Sequence, residues 1–215
     1  MMETTLIQQI SIWALPVLFA ITLHEVAHGW VASWFGDQTA RLAGRLTLNP
    51  IKHVDLVGTV IVPLFLLVLG SGMIFGWAKP VPVDARNLRH PRRDMIFVAL
   101  AGPLSNLLMA MAWAVITKLA MGLPAWFYPI AYMGDAGIMI NLVLGVLNII
   151  PIPPMDGGRV LMNMLPGRIA WRLHQFEPYS FIILILLIMS GVLSFVISPI
   201  VYVLLNSIHT LFGLS

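Results

Sequence analysis

Two histidines and a glutamate near the start of the chain have the spacing of a metal-binding helix. They form the stretch His24-Glu25-Val26-Ala27-His28, an HExxH pattern. On an α-helix, residues four apart share one face, so both imidazoles can reach one cation, with Glu25 beside them to handle protons. Such a site needs at least one more ligand and one open position for water, whose pKa falls toward about 7 when it is bound to the metal. The motif therefore predicts a metal centre that can activate water.

Asp156 is the candidate for the missing ligand. The chain has no cysteine, so only His, Asp or Glu can complete the site. Three prolines between positions 151 and 154 cannot continue a helix, so Asp156 lies on irregular backbone at the inner end of an apolar segment. Asp135 and His209 are expected toward the outer ends of their segments, at a different depth. The alternative role for Asp156 is an N-cap for a short following helix.

The composition places this motif inside a membrane. Hydrophobic residues make up 59% of the 215 residues and charged residues only 10%, whereas soluble domains carry about 25% charged residues. This excludes a soluble globular protein and a disordered chain, and the continuous apolar runs exclude an outer-membrane barrel. Three ionisable groups at membrane depth are costly and are functional by default. The alternative is that they face a polar bundle interior without binding a metal.

Four apolar stretches are long enough to cross a bilayer, which takes about 20 residues. They predict helices over 6–35, 95–120, 126–150 and 181–212, with a break after the third and a short helix over 157–165. The predicted fold class is an all-α polytopic membrane protein. We expect a single membrane-embedded domain over residues 1–215.

A fifth apolar run, over 56–77, is interrupted by Pro63 and by Gly70-Ser71-Gly72. Positive charge gathers on the cytoplasmic side of membrane proteins. If this run enters the membrane and returns on the same side, eleven of the twelve lysines and arginines lie on one side, and only Lys118 lies on the other. The charge pattern thus predicts a re-entrant segment. It also indicates that the basic residues reflect membrane topology and not binding to nucleic acid. The alternative is a fifth full span.

Several motifs together resemble the site-2 proteases, peptidase family M50, which are intramembrane zinc metalloproteases. The HEVAH stretch in a predicted span is followed far downstream by Asn148-x-x-Pro151-x-x-x-x-Asp156-Gly157. Residues 101–106, AGPLSN, also match the family, and residues 76–83, GWAKPVPV, are similar to its compact bacterial branch without a PDZ domain. The resemblance covers about residues 24–165.

The resemblance implies one zinc ion per chain at His24, His28 and Asp156, with Glu25 as general base. It also implies a three-helix catalytic core in which consecutive helices are antiparallel, which favours the re-entrant course of 56–77. The protein is then expected in the inner membrane of a bacterial-type cell, with the active site toward the cytoplasm. Its expected partners are the lipid bilayer and a membrane-protein substrate with a transmembrane helix.

Polar residues near these motifs are candidates for supporting roles. The resemblance implies that Asn148, beside the predicted break, contacts substrate or helps to hold the catalytic geometry, and the alternative is a purely structural role. Asn106 is expected to be structural. In the third span, glycines and Asn141 recur every three or four residues and predict a packing seam. His53 and Asp55 are expected to form a solvated surface pair.

The predicted activity is the cleavage of a peptide bond in or near a transmembrane segment of another protein. Peptide hydrolysis needs an extended substrate, and residues 76–83 or the re-entrant run could hold one by β-strand addition. Two other functions compete with this one. A metal or proton transporter usually carries ionisable residues along a path and often repeats, but here they cluster at one depth. An inactive relative that only binds membrane helices would not need the intact Glu25.

Overall fold

The computed structural model describes residues 5–62, 65 and 76–214. Within these residues the chain forms α-helices and short helical turns, and no β-strand. The helices, in chain order, are α1 (Leu6–Trp34), α2 (Thr39–Leu42), α3 (Pro91–Met121), α4 (Tyr128–Ile149), α5 (Asp156–Met164), α6 (Gly167–His174), α7 (Ser180–Met189) and α8 (Val192–Phe212).

Four of these helices, α1, α3, α4 and α8, are long and apolar enough to cross a membrane. The predicted all-α polytopic membrane fold is therefore confirmed. The helix bounds lie close to those expected from the sequence, within two residues for α4 and α5 and four for α3. Helix α1 begins at a capping box, in which Thr5 and Gln8 exchange side-chain and backbone hydrogen bonds.

The predicted helix over 181–212 is wrong as a single element, because the chain breaks between α7 and α8. Gly191 takes a left-handed conformation with φ of 74°, which a glycine adopts without the steric penalty of a side chain. A continuous helix of 32 residues would be about 48 Å long, well beyond the roughly 30 Å of a hydrocarbon core. Helix α8 alone has 21 residues and spans that thickness.

Helices α1, α3 and α4 pack against one another and form the core that carries the site. Helices α1 and α3 are antiparallel. His24 contacts Asn106, whereas His28, one turn later on α1, contacts Val98, which comes earlier on α3. Helices α3 and α4 are also antiparallel, since Gly137 abuts Trp113 and Gly134 abuts Thr117. The glycines of α4 thus form the predicted packing seam, and their missing side chains let the two helices approach closely.

Residues 76–84 are extended and lie along the C-terminal part of α1, where Val81 contacts Glu25. The N–H group of Trp77 donates to the carbonyl of Gly58 at 3.1 Å, and that of Lys79 donates to the carbonyl of His53 at 3.0 Å. The carbonyl of Lys79 accepts from Arg45 Nη2 at 2.8 Å. Most of the predicted re-entrant run, namely 63–64 and 66–75, lies outside the described residues. Its two described ends, near Gly58 and Trp77, are hydrogen-bonded neighbours.

The predicted solvated pair of His53 and Asp55 is wrong. His53 is only 2% exposed, its turn packs against α1, and its Nε2 lies 3.0 Å from the carbonyl of Thr47. Asp55 instead caps the next turn by accepting from the N–H group of Gly58 at 2.7 Å. Both side chains therefore make local contacts within residues 47–58.

Candidate metal centre

The structure brings His24, His28 and Asp156 together in one buried cluster. The histidines lie one turn apart on α1, and Asp156 is the first residue of α5. The Nε2 atoms of the two rings are 3.0 Å apart, and each lies 3.2 Å from Asp156 Oδ2. All three residues are at most 9% exposed. This is the single group of three or more His, Asp or Glu residues that could hold a metal ion within the described chain.

Hydrogen bonds on the far side of each ring determine which nitrogen faces the cluster. His24 Nδ1 lies 2.6 Å from Asn106 Oδ1, and His28 Nδ1 lies 2.7 Å from the carbonyl of Val98. Both partners accept hydrogen bonds, so each Nδ1 is assigned a proton, and in the neutral tautomer each ring then presents its Nε2 lone pair to the cluster. A metal-ligating histidine normally has such a partner for its other nitrogen.

Three atoms that can each ligate a metal ion therefore converge. Asp156 Oδ2 is buried and has no hydrogen-bond donor among the described residues. Converging lone pairs in a buried site are costly unless a cation lies between them. In a tetrahedral zinc site with bonds of about 2.0–2.2 Å, neighbouring ligand atoms are separated by about 3.3–3.5 Å. The observed spacings of 3.0–3.2 Å are within a few tenths of an ångström of this value, so the residues fit zinc.

Asn106 fixes the orientation of His24 through a chain of buried amides. Its Oδ1 atom faces His24, and its Nδ2 atom donates to Asn141 Oδ1 at 2.9 Å. The amide of Asn141 in turn donates to the carbonyl of Gly137 at 2.8 Å. Both asparagines are 0% exposed. The sequence predicts a structural role for Asn106 and does not indicate its direct contact with the candidate ligand His24.

Glycines at two helix contacts allow the three ligands to meet. A Cβ atom on Gly102 of α3 would lie 2.5 Å from His24 Cε1, so this position admits no side chain beneath the imidazoles. A Cβ atom on Gly157 would lie 2.5 Å from the carbonyl oxygen of Ile150, and one on Gly158 would lie 2.7 Å from the carbonyl carbon of Ile152. The two glycines after Asp156 therefore let α5 pack closely against the unwound segment and bring the carboxylate under α1.

Glu25 lies beside the two histidines and is held by the extended residues 76–84. Its Oε2 atom accepts a hydrogen bond from the N–H group of Val81 at 2.7 Å. Val81 lies between Pro80 and Pro82, which have no N–H group and fix the local backbone as extended. The Val81 N–H group is thus directed at the Glu25 carboxylate. The Pro-Val-Pro stretch is visible in the sequence and predicts an extended backbone, but residue spacing does not connect it with Glu25.

Asn148 lines a cavity beside the cluster instead of joining it. Its Nδ2 atom donates to the carbonyl of Leu144 at 3.0 Å, while its side chain borders a cavity of about 230 Å³ that Asp156 also lines. Asp135 and His209, the other intramembrane candidates, take no part in the ligand group. Asp135 is exposed on α4, and His209 lies on α8.

A second carboxylate, outside the membrane, fastens the end of α1 to the loop that follows residues 76–83. Asp37 is 0% exposed, and burial by itself would raise its pKa. Hydrogen bonds from Thr39, from the N–H group of Asp84 and from Asn87 outweigh this effect and lower the pKa of Asp37 below its usual value. In the same loop, the partly buried Asp84 pairs with the exposed Arg86, and this hydrogen bonding lowers the pKa of Asp84 to about 2.

Comparison with known proteins identifies the family. A family model described as peptidase family M50 matches residues 125–193. A protein named "Putative zinc metalloprotease YwhC" from Bacillus subtilis is 37% identical over 204 residues, which cover 93% of this chain and 90% of that protein. Two proteins named "Putative zinc metalloprotease Rip2", from Mycolicibacterium smegmatis and Mycobacterium tuberculosis, are 29% and 30% identical. Each match covers 82% of this chain and 66% of the relative. No solved structure matches the chain.

The family and the geometry agree on the class of chemistry. The relatives are named as zinc metalloproteases, and the described chain holds a buried group of two histidines and an aspartate that fits zinc. The long apolar helices place this group in an integral membrane protein. The chain belongs to peptidase family M50 and is a membrane zinc metalloprotease.

Proposed function

We propose that this protein hydrolyses peptide bonds in or beside transmembrane segments of other membrane proteins, at the site formed by His24, His28 and Asp156. The observation that carries the proposal is the convergence of three atoms that can ligate a metal ion, in a chain whose long helices can cross a membrane. A site built there can reach a peptide bond that the bilayer shields from soluble proteases. The intact Glu25 beside it supports catalysis rather than metal binding alone.

In this proposal each residue has a defined task. A bound zinc ion would supply Lewis-acid chemistry and lower the pKa of bound water to about 7. Glu25 takes a proton from the attacking water and later gives it to the leaving amine. The hydrogen bond from the Val81 N–H group holds one carboxylate oxygen of Glu25, so the other oxygen is available for the proton. Asn106 and the carbonyl of Val98 keep the two imidazoles in the ligating tautomer.

Residues 76–83 offer one edge to an extended substrate. The odd-numbered residues 77, 79 and 81 hydrogen-bond toward the protein. Successive residues of an extended chain face opposite sides, so Ala78, Pro80 and Pro82 direct their carbonyls to the free side. Since prolines have no N–H group, this edge is rich in acceptors, and N–H groups of an unwound substrate would pair with it. Asn148, beside Asp156, supplies a further amide at the same level.

The proposed topology places the active site toward the cytoplasm and residues 56–77 in a re-entrant loop. Two observations support it. Helices α1 and α3 are antiparallel, so the chain between them returns to the side from which it left. The N–H group of Trp77 also donates to the carbonyl of Gly58, which makes the two ends of the loop neighbours. The basic residues on this side agree with a cytoplasmic location.

Reconstitution with a substrate tests the proposed activity. The purified chain is placed in proteoliposomes with single-span membrane proteins that carry distinct tags at each end. We expect cleavage within or beside the span, loss of cleavage after a chelator removes the metal, and recovery when zinc returns. His174→Ala, which alters an exposed histidine outside the cluster, serves as the control and should cleave normally. Cleavage that persists after complete metal removal, or is confined to soluble peptides, would contradict the proposal.

Thiol labelling tests the topology, because the chain has no native cysteine. Ile51→Cys and His90→Cys lie at exposed positions before and after the proposed loop. Both should resist an impermeant reagent on intact cells and react after permeabilisation. Trp126→Cys, which is exposed between α3 and α4, should label from outside. If position 90 labels from outside while position 51 does not, residues 56–77 form a full span.

A further inference from the structure

We infer that the apolar cavity beside Asp156 is the pocket that selects the substrate residue next to the cleaved bond, and that it accepts one large apolar side chain such as Leu, Met or Phe. The inference rests on the proposed function. It assigns substrate selection to named residues of α5. The HExxH motif and the family relationship give these residues no role.

The position of the cavity supports this role. It is bounded by α3, α4 and α5, and the candidate ligand Asp156 forms part of its wall. A peptide bond held at the cluster therefore has a neighbouring side chain within reach of the cavity. Along α5, the residues that line it are Gly157, Val160, Leu161 and Met164. Their spacing of three and four places all of them on one face of the helix.

The size and chemistry of the cavity define its occupant. Its volume is about 230 Å³. This exceeds the roughly 150 Å³ of an apolar cavity that holds benzene and falls short of the roughly 300–1,000 Å³ of pockets for drug-sized ligands. The space thus fits one large side chain rather than a second helix. Leu100 and Pro103 of α3 complete the apolar wall, and the polar groups, Asp156 and Asn148, lie where the substrate backbone would pass.

The glycine at position 157 allows α5 to pack directly against the end of α4. A Cβ atom there would overlap the backbone at the end of α4, so α5 is seated directly on that helix end. A wall attached in this way cannot easily move aside for an oversized side chain. Changes in the volume of Leu161 should therefore change the preferred substrate rather than simply shift the helix.

Size-matched variants and substrates test the inference. Reconstituted substrates carry Ala, Leu or Phe at each residue that flanks the cleaved bond. Leu161→Phe narrows the pocket and should lower kcat/KM for Leu substrates, relative to Ala substrates, by about tenfold or more. Leu161→Ala widens the pocket and should raise kcat/KM for Phe substrates relative to Leu substrates. The expected size follows because one methylene in an apolar pocket changes discrimination by about 10–200-fold. Asn163→Phe adds bulk on α5 outside the cavity-lining face and should leave both ratios unchanged. Cleavage by both Leu161 variants with unchanged ratios overturns the inference.

Crosslinking gives a second test that does not depend on turnover. Met164→Cys, at the exposed rim of the pocket, is combined with Glu25→Gln, and the substrate carries a cysteine at one flanking position. A disulfide should form with Met164→Cys and not with Asn163→Cys. Equal crosslinking at both positions, or none at position 164, contradicts the pocket. Failure of the wild type to cleave any substrate would instead count against the proposed function, and the crosslinking result would still decide the pocket.

Discussion

Replacement of Asn106 by alanine should weaken zinc binding although Asn106 is not a ligand. The variant loses the acceptor that lies 2.6 Å from His24 Nδ1, at a residue that is 0% exposed, so no water replaces it readily. The imidazole is then free to turn or to change tautomer. Loss of such a partner typically costs 10–100-fold in metal affinity, which corresponds to about 1.4–2.7 kcal/mol. The metal-free protein should also lose about 1–3 kcal/mol of stability, because buried donors and acceptors stay unpaired.

Competition with a chromogenic chelator in detergent measures the zinc affinity, and thermal unfolding measures the stability. Asn141→Ala is the matched control, because it breaks the hydrogen bond between the two asparagines and leaves the contact with His24 in place. We expect it to lower stability while zinc affinity changes much less. The reasoning is refuted if Asn106→Ala binds zinc as tightly as the wild type, or if both variants weaken zinc binding equally.

Two further predictions concern the glycine beneath the imidazoles and the buried carboxylate of the loop. Gly102→Ala places a Cβ atom 2.5 Å from His24 Cε1 and should lower zinc affinity by about tenfold, since overpacking costs about 1–3 kcal/mol; Gly145→Ala, whose nearest contact would be 3.4 Å, should bind zinc normally in the same chelator assay. Asp37 has a lowered pKa in the folded state, so its contribution to stability is present above its ordinary pKa of 3.8 and is lost as the pH falls through the folded value. Asp37→Asn should therefore lower stability by about 1–2 kcal/mol at pH 7, and the difference from wild type should shrink in acid. Thermal unfolding at several pH values measures this effect, and a difference that grows in acid would contradict it.

The sequence predicted the membrane class, the long helices and the ligand set for simple physical reasons. Apolar runs of 20 or more residues have few alternatives to a membrane helix, and HExxH on a helix fixes two ligands by periodicity. Asp156 could be predicted because prolines interrupt a helix at the depth of the histidines. These conclusions depend on local patterns, which a single sequence displays.

Other features depend on contacts between distant segments and could not be predicted in this way. The carbonyl of Val98 is a backbone group, so its contact with His28 leaves no mark in the residue types, and the Pro-Val-Pro stretch around Val81 does not by itself point to Glu25. His53 looked like a surface residue because charged residues lie near it in the sequence, whereas its turn packs against α1, which comes earlier in the chain. The break at Gly191 was missed because one glycine in an apolar run does not reveal its backbone conformation.

Zinc content and cleavage, measured together on Glu25→Gln and Asp156→Ala, test the central claim most directly. Both variants are purified and reconstituted in parallel with the wild type and the same single-span substrate. The proposed roles predict that Glu25→Gln keeps one zinc ion per chain and cleaves nothing, because Glu25 moves protons and is not a ligand. They also predict that Asp156→Ala loses both zinc and cleavage. Cleavage by Glu25→Gln, or one tightly bound zinc in Asp156→Ala, would contradict the account.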